Sequence, residues 1–192
     1  MATSDFVEVA APADAQNIPF EPPYFVKPVA EGTGKGVTPH SIVRARDALP
    51  GACAEIIATY RQPALVEPFL SGREFTVGIV GTGPRAQVLG TVEIHLLSGA
   101  DENLYSYMNK ALYEQRVTYR LMPSHGDRLI AETEAIALAA WRVLGCRDAG
   151  RVDLRCDAGE KPQFLEVNPL AGLHPVHSDL PIICSRLAIP YS

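Results

Sequence analysis

The clearest feature of the chain is the alternation of apolar and polar residues over several short segments, which predicts β-strands. The pattern is strongest in residues 74–80 and 86–95, and the letters GTGP between them supply the turn of a hairpin. We therefore predict an antiparallel pair at this place. Further strands are predicted at residues 5–9, 24–27, 64–67, 150–156 and 163–168.

Two segments have the signals of a helix. In residues 127–144 the apolar side chains recur near every 3.6 positions, with Asp127 placed to cap the helix and Gly145 to end it. A second helix is predicted to begin with Asp47 as its cap. Residues 98–126 have few periodic signals, so we predict a long loop of the kind that forms a lid. This order of elements predicts an α+β protein.

Composition and charge narrow the class of protein. The 192 residues are 47% hydrophobic and 20% charged, with a formal net charge of −5, which is ordinary for a globular protein. There is no basic excess to hold a nucleic-acid backbone and no apolar run long enough to span a bilayer. The four cysteines show no CxxC spacing, and no leader pattern follows Met1. We expect a reduced, cytoplasmic protein with no nucleic-acid or membrane partner.

The first candidate site is the segment FVKPVAEGTGKGV, in which Lys27 ends a strand and Gly32, Gly34 and Gly36 lie in the loop after it. Glycines let the backbone approach a polyanion and direct N–H groups at it, while the lysine adds a positive charge. The spacing matches neither the Walker A motif nor the dinucleotide fingerprint. The residues alone leave a phosphate loop and a simple glycine-rich turn equally open.

A second candidate site consists of Asp153, Glu166 and Asn168. Apolar neighbours flank each carboxylate along its strand, so alternation turns both carboxylates away from the core. Three oxygen donors converge if the two strands pair, which suits a hard cation such as Mg²⁺ holding a polyphosphate. The solvated face of an antiparallel sheet explains the same alternation.

A third candidate is the segment LVEPFLSGREFTV, where Glu67 and Glu74 lie on either side of a turn. Taken alone, this pattern favours two exposed glutamates in a strand-turn-strand unit.

The succession VKP, EGTGKG, VEPFLSGREFTV, GRVDLR and FLEVNPLAGLHPVHSDLP closely resembles the D-alanine–D-alanine ligase branch of the ATP-grasp superfamily, over nearly all of residues 24–191. The resemblance implies an ATP-grasp fold of two α+β lobes with the nucleotide bound between them. Residues 1–72 would form the smaller lobe with the glycine-rich loop. Residues 73–192 would form the larger lobe with the antiparallel sheet, the lid and the metal site.

The activity that this resemblance implies is that of an ATP-dependent carboxylate–amine ligase. Such an enzyme forms a peptide bond through an acyl phosphate, uses ATP with two Mg²⁺ ions or with Mn²⁺ in their place, and serves peptidoglycan biosynthesis in the cytoplasm. Its substrates would be small amino acids. Two alternatives remain open, an ATP–Mg-binding module that does not ligate by itself and a structural remnant.

Carried over residue by residue, the resemblance implies a nucleotide-binding set. Its members are Lys27, Glu31, Gly32, Thr33, Gly34, Gly36, Glu67, Pro68, Phe69, Leu70 and Glu74. Lys27 and the loop would contact the phosphates. Glu67 and the backbone of residues 68–70 would face the adenine, and Glu74 would bind the ribose.

The resemblance also implies metal ligands and catalytic residues. The metal ligands would be Asp153, Glu166 and Asn168. Arg151, on the same strand face as Asp153, would stabilise the oxyanion of the transition state. Lys110, in the lid, would touch the γ-phosphate, and Ser178 would recognise the carboxylate of the acceptor.

The sequence departs from the family pattern in three places. Members of the family begin with an additional α/β domain, and the present sequence starts at the first strand of the central lobe. We therefore expect one of two partners, a separate chain that carries that domain or a second copy of this chain in a homodimer. Ala111 stands where many relatives have tyrosine, and Ala171 stands where a proline is common. These two changes leave the identity of the amino acid substrates open.

Overall fold

The computed structural model describes residues 2–32, 34–96, 117–123 and 125–191. The chain divides into two compact units. Unit 1 comprises Met1–Thr3, Ser71–His95 and Thr118–Ser192, and unit 2 comprises Ser4–Leu70 and Leu96–Val117. Each unit has a β-sheet and at least one helix, so the predicted α+β class is confirmed. The division into domains after residue 72 stays a prediction.

Unit 2 is built on a four-stranded sheet in the order β1-β4-β2-β3. The strands are β1 (Val7–Val9), β2 (Tyr24–Pro28), β3 (Ile42–Val43) and β4 (Ala64–Pro68). Helix α1 (Leu49–Tyr60) packs against β2. Alternate side chains of β2 and β4 are buried in the core, so Phe25, Lys27 and Glu67 lie on the opposite face of the sheet.

Unit 1 is built on a five-stranded sheet in the order β7-β6-β5-β8-β9. The strands are β5 (Glu74–Val80), β6 (Gln87–Leu96), β7 (Val117–Leu121), β8 (Ala149–Cys156) and β9 (Pro162–Asn168). Helix α2 (Arg128–Val143) covers one face of this sheet. There Trp141 packs with Val77, Val152 and Leu154 in a buried cluster. The side chains between these apolar residues therefore project from the other face.

A third helix, α3 (Asp179–Arg186), packs on that other face of the unit 1 sheet. Gly78 of β5 and Gly90 of β6 are register partners, and a Cβ built on either would lie 3.2 Å from the side chain of Ile183. Because these two strands carry no side chain there, α3 can approach the sheet closely. The close approach buries Ile183 completely.

The predicted strands all have a counterpart in the structure. The predicted cap of α2 is confirmed, since the Oδ1 atom of Asp127 accepts the N–H of Leu129 at 2.9 Å. The cap predicted at Asp47 is wrong. Residues Arg46–Ala48 form a 3-10 turn, so Ala48 precedes the first residue of α1 and no side chain caps the helix.

The predicted loop at residues 98–126 is wrong over Val117–Leu121, which form β7. Val117 and Tyr119 are buried while Thr118 and Arg120 are exposed, the alternation of a strand with one covered face. Residues 98–116 and 124 of the predicted loop lie outside the described residues. Within the described part of the chain, no helix is long and apolar enough to cross a membrane.

Candidate functional site

The strand register of unit 1 brings the predicted metal ligands together on the face that α3 covers. Asp153 of β8 lies opposite Glu166 of β9 on one side and Thr76 of β5 on the other. Arg151, two residues earlier, lies opposite Asn168. Directly opposed residues of an antiparallel pair point to the same face, so these side chains form one polar group.

Hydrogen bonds tie this group together. The Nδ2 atom of Asn168 donates to Glu166 Oε1 at 3.2 Å and to Asp153 Oδ2 at 3.4 Å. The hydroxyl of Thr76 donates to the other oxygen of Asp153 at 2.9 Å. Asp153 is only 7% exposed, and its bonded partners satisfy a carboxylate that burial would otherwise destabilise.

The donor set fits a hard cation by its chemistry. Two carboxylates and an amide offer oxygen atoms, and no sulfur or imidazole ligand is among them, as Mg²⁺ and Mn²⁺ prefer. Among the residues that the structure describes, no group of three or more His, Cys, Asp or Glu is placed to hold a metal ion. The predicted set contains only two carboxylates, so its third oxygen donor would have to be the amide of Asn168.

Arg151 joins two carboxylates. Its Nη1 atom contacts Asp153 Oδ2 and lies 3.1 Å from Asp179 Oδ2. The other oxygen of Asp179 accepts the hydroxyl of Tyr119 at 2.9 Å. Burial of the guanidinium works against its charge, but the negative charges of Asp153 and Asp179 outweigh burial and raise the pKa of Arg151. The residue is a permanent cation.

Glu74, predicted to bind ribose, lies on the same face. It is opposite Arg155 in the β5–β8 register, and the two side chains form an ion pair of 3.3 Å between Arg155 Nη1 and Glu74 Oε2. Both side chains are largely buried. Arg155 therefore fixes the direction of the Glu74 carboxylate.

Ser178 comes directly before α3 and is half-buried. Its hydroxyl oxygen accepts the N–H of His174 at 3.0 Å. The rings of His174 and His177 stack at 3.4 Å between centroids, and His174 Nδ1 accepts the N–H of Val176 at 3.3 Å. These contacts hold the loop before α3 and with it the position of the Ser178 hydroxyl.

In unit 2, two residues of the predicted nucleotide set are paired with each other. Lys27 Nζ lies 2.6 Å from Glu67 Oε2, with both side chains mostly buried, and 5.7 Å from the centroid of the Phe25 ring. The backbone N–H of Phe69 donates to the carbonyl of Pro23 at 2.9 Å. Pro68 has no N–H to offer an adenine.

The glycine-rich loop of unit 2 is held at its first residues. Gln62 accepts the N–H of Ala30 at 2.6 Å and donates to Glu31 Oε1 at 3.1 Å. Glu31 also pairs with Lys35 at 2.9 Å. Gly34 and Gly36 have φ angles of +72° and +83°, which L-residues other than glycine rarely adopt. The sequence therefore needs glycine at these two positions.

Of the eleven predicted nucleotide-binding residues and the three catalytic ones, Thr33 and Lys110 lie outside the described residues. The predicted set omitted four residues that contact its members, namely Gln62, Thr76, Arg155 and Asp179, and a fifth residue, Tyr119, that holds Asp179. Thr76 and Arg155 share the alternation of Glu74 and Asp153, so the pattern contained a signal for them. The other three depend on contacts that no local pattern reveals.

Comparison with known proteins gives a family match over nearly the whole chain. A family model described as the D-ala D-ala ligase C-terminus matches residues 9–192. A protein named D-alanine–D-alanine ligase from Bordetella petrii is 30% identical over 194 residues, covering 100% of this chain and 56% of that protein. A protein of the same name from Cupriavidus metallidurans is 36% identical over 170 residues, covering 88% of this chain and 49% of that protein.

A solved structure shares the fold. The D-alanine–D-alanine ligase of Bacillus anthracis, in a structure complexed with ATP, matches at a TM-score of 0.72 and 21% identity, covering 100% of this chain and 57% of that one. Identity at this level shows the fold alone. The chain spans about half the length of the curated relatives it matches.

Proposed function

The chain belongs to the D-ala D-ala ligase C-terminal family and has the α+β ATP-grasp fold, and from this premise we propose that it is the ATP-binding part of a carboxylate–amine ligase. Because it spans about half of its relatives, the reaction and its substrates belong to the proposal. The observation that supports it most is the convergence of Asp153, Glu166 and Asn168 beside a buried arginine.

The proposed reaction has two steps. A carboxylate oxygen of the first amino acid attacks the γ-phosphorus of ATP, and ADP leaves. The amine of the second amino acid then attacks the acyl carbon, phosphate leaves, and the amine gives up a proton. Negative charge develops on oxygen in both steps, so positioned cations rather than a protein nucleophile are required.

Asp153, Glu166 and Asn168 would hold Mg²⁺, two ions in all or Mn²⁺ in their place. Bound Mg²⁺ would neutralise charge on the transferring phosphoryl group. In the structure, the Nδ2 atom of the Asn168 amide points to the carboxylates of Asp153 and Glu166. Rotating the amide by half a turn exchanges its nitrogen and oxygen, which would direct a ligand oxygen to the same place.

The catalytic residues of the proposal act by charge and hydrogen bonding. Arg151 stays cationic and is only 12% exposed, so its remaining N–H groups would donate to the developing oxyanion. The Ser178 hydroxyl would donate to the carboxylate of the second amino acid. Lys110, in the segment outside the described residues, would contact the γ-phosphate.

The nucleotide-binding part of the proposal rests on unit 2. Lys27 and the loop from Glu31 to Gly36 would bind the phosphates, and Glu67 with the backbone of residues 68–70 would bind the adenine. The ion pair of Lys27 with Glu67 supports this assignment, because it holds both charged groups in place on the sheet face that points away from the unit 2 core.

The test is release of ADP by the purified chain in the presence of ATP, Mg²⁺ and D-alanine, with dipeptide identified by mass spectrometry. We expect ADP release that needs the amino acid and falls by more than about a hundredfold in Arg151→Gln. Binding of ATP without ADP release for any amino acid pair would support the non-ligating module. A melting temperature that ATP and Mg²⁺ leave unchanged would support the structural remnant, since a ligand that binds the native state stabilises it.

A further inference from the structure

Asp179 is a buried carboxylate with partners at both of its oxygens. It is the first residue of α3 and only 8% exposed. Tyr119 of β7 donates to its Oδ1 at 2.9 Å, and Nη1 of Arg151 lies 3.1 Å from its Oδ2. An acidic residue in the first turn of a helix is also favoured by the helix dipole. The side chain is therefore held in one direction, toward Arg151.

The position of α3 explains why Asp179 reaches Arg151. Gly78 is the register partner of Arg151 in the β5–β8 pair. A Cβ on Gly78 would lie 3.2 Å from Ile183 and 3.3 Å from Leu180. The helix thus packs on the sheet next to Arg151, and its first residue lies within ion-pair distance of the guanidinium.

One nitrogen of Arg151, Nη1, contacts Asp153 as well as Asp179. That nitrogen carries two hydrogens, so each carboxylate can accept one. The negative charges of three carboxylates, those of Asp153, Glu166 and Asp179, act on this one guanidinium. Without Asp179, the charge of Arg151 would be directed to Asp153, which is a member of the proposed metal set.

We propose that Asp179 is a positioning residue, which fixes the Arg151 guanidinium through a second ion pair and so shares with Asp153 the positive charge that would otherwise oppose a divalent cation there. The proposal rests on the proposed function for its metal part. A purely structural role, in which Asp179 only joins α3 to β8, would change stability and leave both the motion of Arg151 and cation affinity unchanged.

The first test measures the motion of Arg151 and requires neither metal nor nucleotide. Nitrogen-15 NMR of the arginine side chains measures rotation of the Arg151 guanidinium, with its signal assigned by loss in Arg151→Lys. In Asp179→Asn we expect rotation to become at least about fivefold faster, because one of two charged contacts is lost. Tyr119→Phe should give a smaller increase. The control, Asp148→Asn, changes an exposed carboxylate of the same unit and should have no effect.

Unchanged rotation in a folded Asp179→Asn protein would overturn the proposal. If Asp179→Asn does not fold, Tyr119→Phe decides in its place, because it removes only the hydroxyl that orients Asp179. Unchanged rotation in that variant would count equally against the proposal.

The second test is a double-mutant cycle on Mn²⁺ binding, followed by electron paramagnetic resonance. Asp179→Asn should weaken Mn²⁺ binding about fivefold when Arg151 is present and less than about twofold in an Arg151→Gln background. An equal loss in both backgrounds would mean that Asp179 acts by its charge alone, and the proposal would fail. If the wild-type chain binds no Mn²⁺, the proposed metal site fails, while the NMR comparison still decides the role of Asp179.

Discussion

The charged groups of the two units are built differently. In unit 1, the side chains of Arg151, Asp153 and Asp179 are about nine-tenths buried, and Arg151 and Asp153 lie in a fixed strand register. In unit 2, Lys35 of the glycine-rich loop is 63% exposed and pairs with Glu31 four residues earlier. Removing one partner of a buried ion pair is costly because it leaves an unpaired buried charge, whereas water screens an exposed pair. We conclude that unit 1 carries a preformed, buried polar site, whereas the exposed pair of Lys35 with Glu31 adds little to the stability of the unit 2 loop.

The largest effect is expected from a test of sheet packing beneath the unit 1 site. A Cβ on Gly150 would lie 2.5 Å from the carbonyl oxygen of Asn168 and 2.7 Å from the Trp141 ring. Neither neighbour can move without disturbing the sheet or the core. We therefore expect Gly150→Ala to lower the free energy of unfolding in urea by about 3 kcal/mol.

The matched control in unit 2 is Gly32→Ala, because a Cβ there has no heavy atom within 4 Å. It should change the free energy of unfolding by less than about 0.5 kcal/mol. Comparable losses for the two variants would contradict the contrast between the units.

A smaller effect is expected from the buried ion pair of Arg73 with Glu93, which lies on the face of the unit 1 sheet opposite the site. Glu93 is 4% exposed and accepts two hydrogen bonds from Arg73, at 2.6 and 3.0 Å. Burial disfavours its charge, but the bond from Arg73 and the charges of His95 and Arg73 outweigh burial and lower the pKa of Glu93 below its ordinary value of 4.5. The pair therefore stabilises the fold above pH 4.5 and loses this contribution as the pH falls through the lowered pKa.

Glu93→Gln should accordingly lower the free energy of unfolding by about 2 kcal/mol at pH 7 and flatten its decline at acid pH. Urea titrations of both proteins between pH 7 and pH 3 measure this. Parallel pH profiles for the two proteins would show that Glu93 does not contribute by its charge.

The smallest effect is expected from the exposed pair of the glycine-rich loop. The hydrogen bond and the negative charge of Glu31 raise the pKa of Lys35 above 10.5. Any stability from the pair is therefore present at pH 7 and is lost only as the pH rises through the raised pKa. Because Lys35 is exposed, water and salt screen the pair. Lys35→Met should leave the melting temperature at pH 7 unchanged within error. A clear decrease, removed by added salt, would show that the loop is held more firmly than we propose.

The sequence predicted which residues of the unit 1 strands lie on one face, because apolar and polar residues alternate along these strands. Alternation placed Asp153 and Glu166 away from the core, and neighbouring strands then had to bring them together. The exact partners depend on register, which shifts between Asp153 and Leu154. One extra residue in β9 at that point keeps Glu166 opposite Asp153. No local sequence pattern predicts such a bulge.

Other parts of the structure depend on tertiary contacts and could not be predicted. Helix α3 is short, and its position depends on Gly78 and Gly90, which have no side chain and are distant from α3 in the sequence. Asp179 gains its partners only through that packing. Asp47 has the residue type of a helix cap, but the 3-10 turn before α1 displaces it. Local propensity was overridden there by the path of the chain.

We propose that Asp153, Glu166 and Asn168 hold a divalent cation for ATP, and calorimetry of Glu166→Gln provides a direct test. The substitution keeps the size of the side chain and removes one ligand charge. The control, Glu160→Gln, makes the same change at an exposed residue of the turn before β9. We predict that Glu166→Gln binds ATP in the presence of Mg²⁺ at least about tenfold more weakly than the wild type and the control. Equal affinity in all three proteins would contradict the claim.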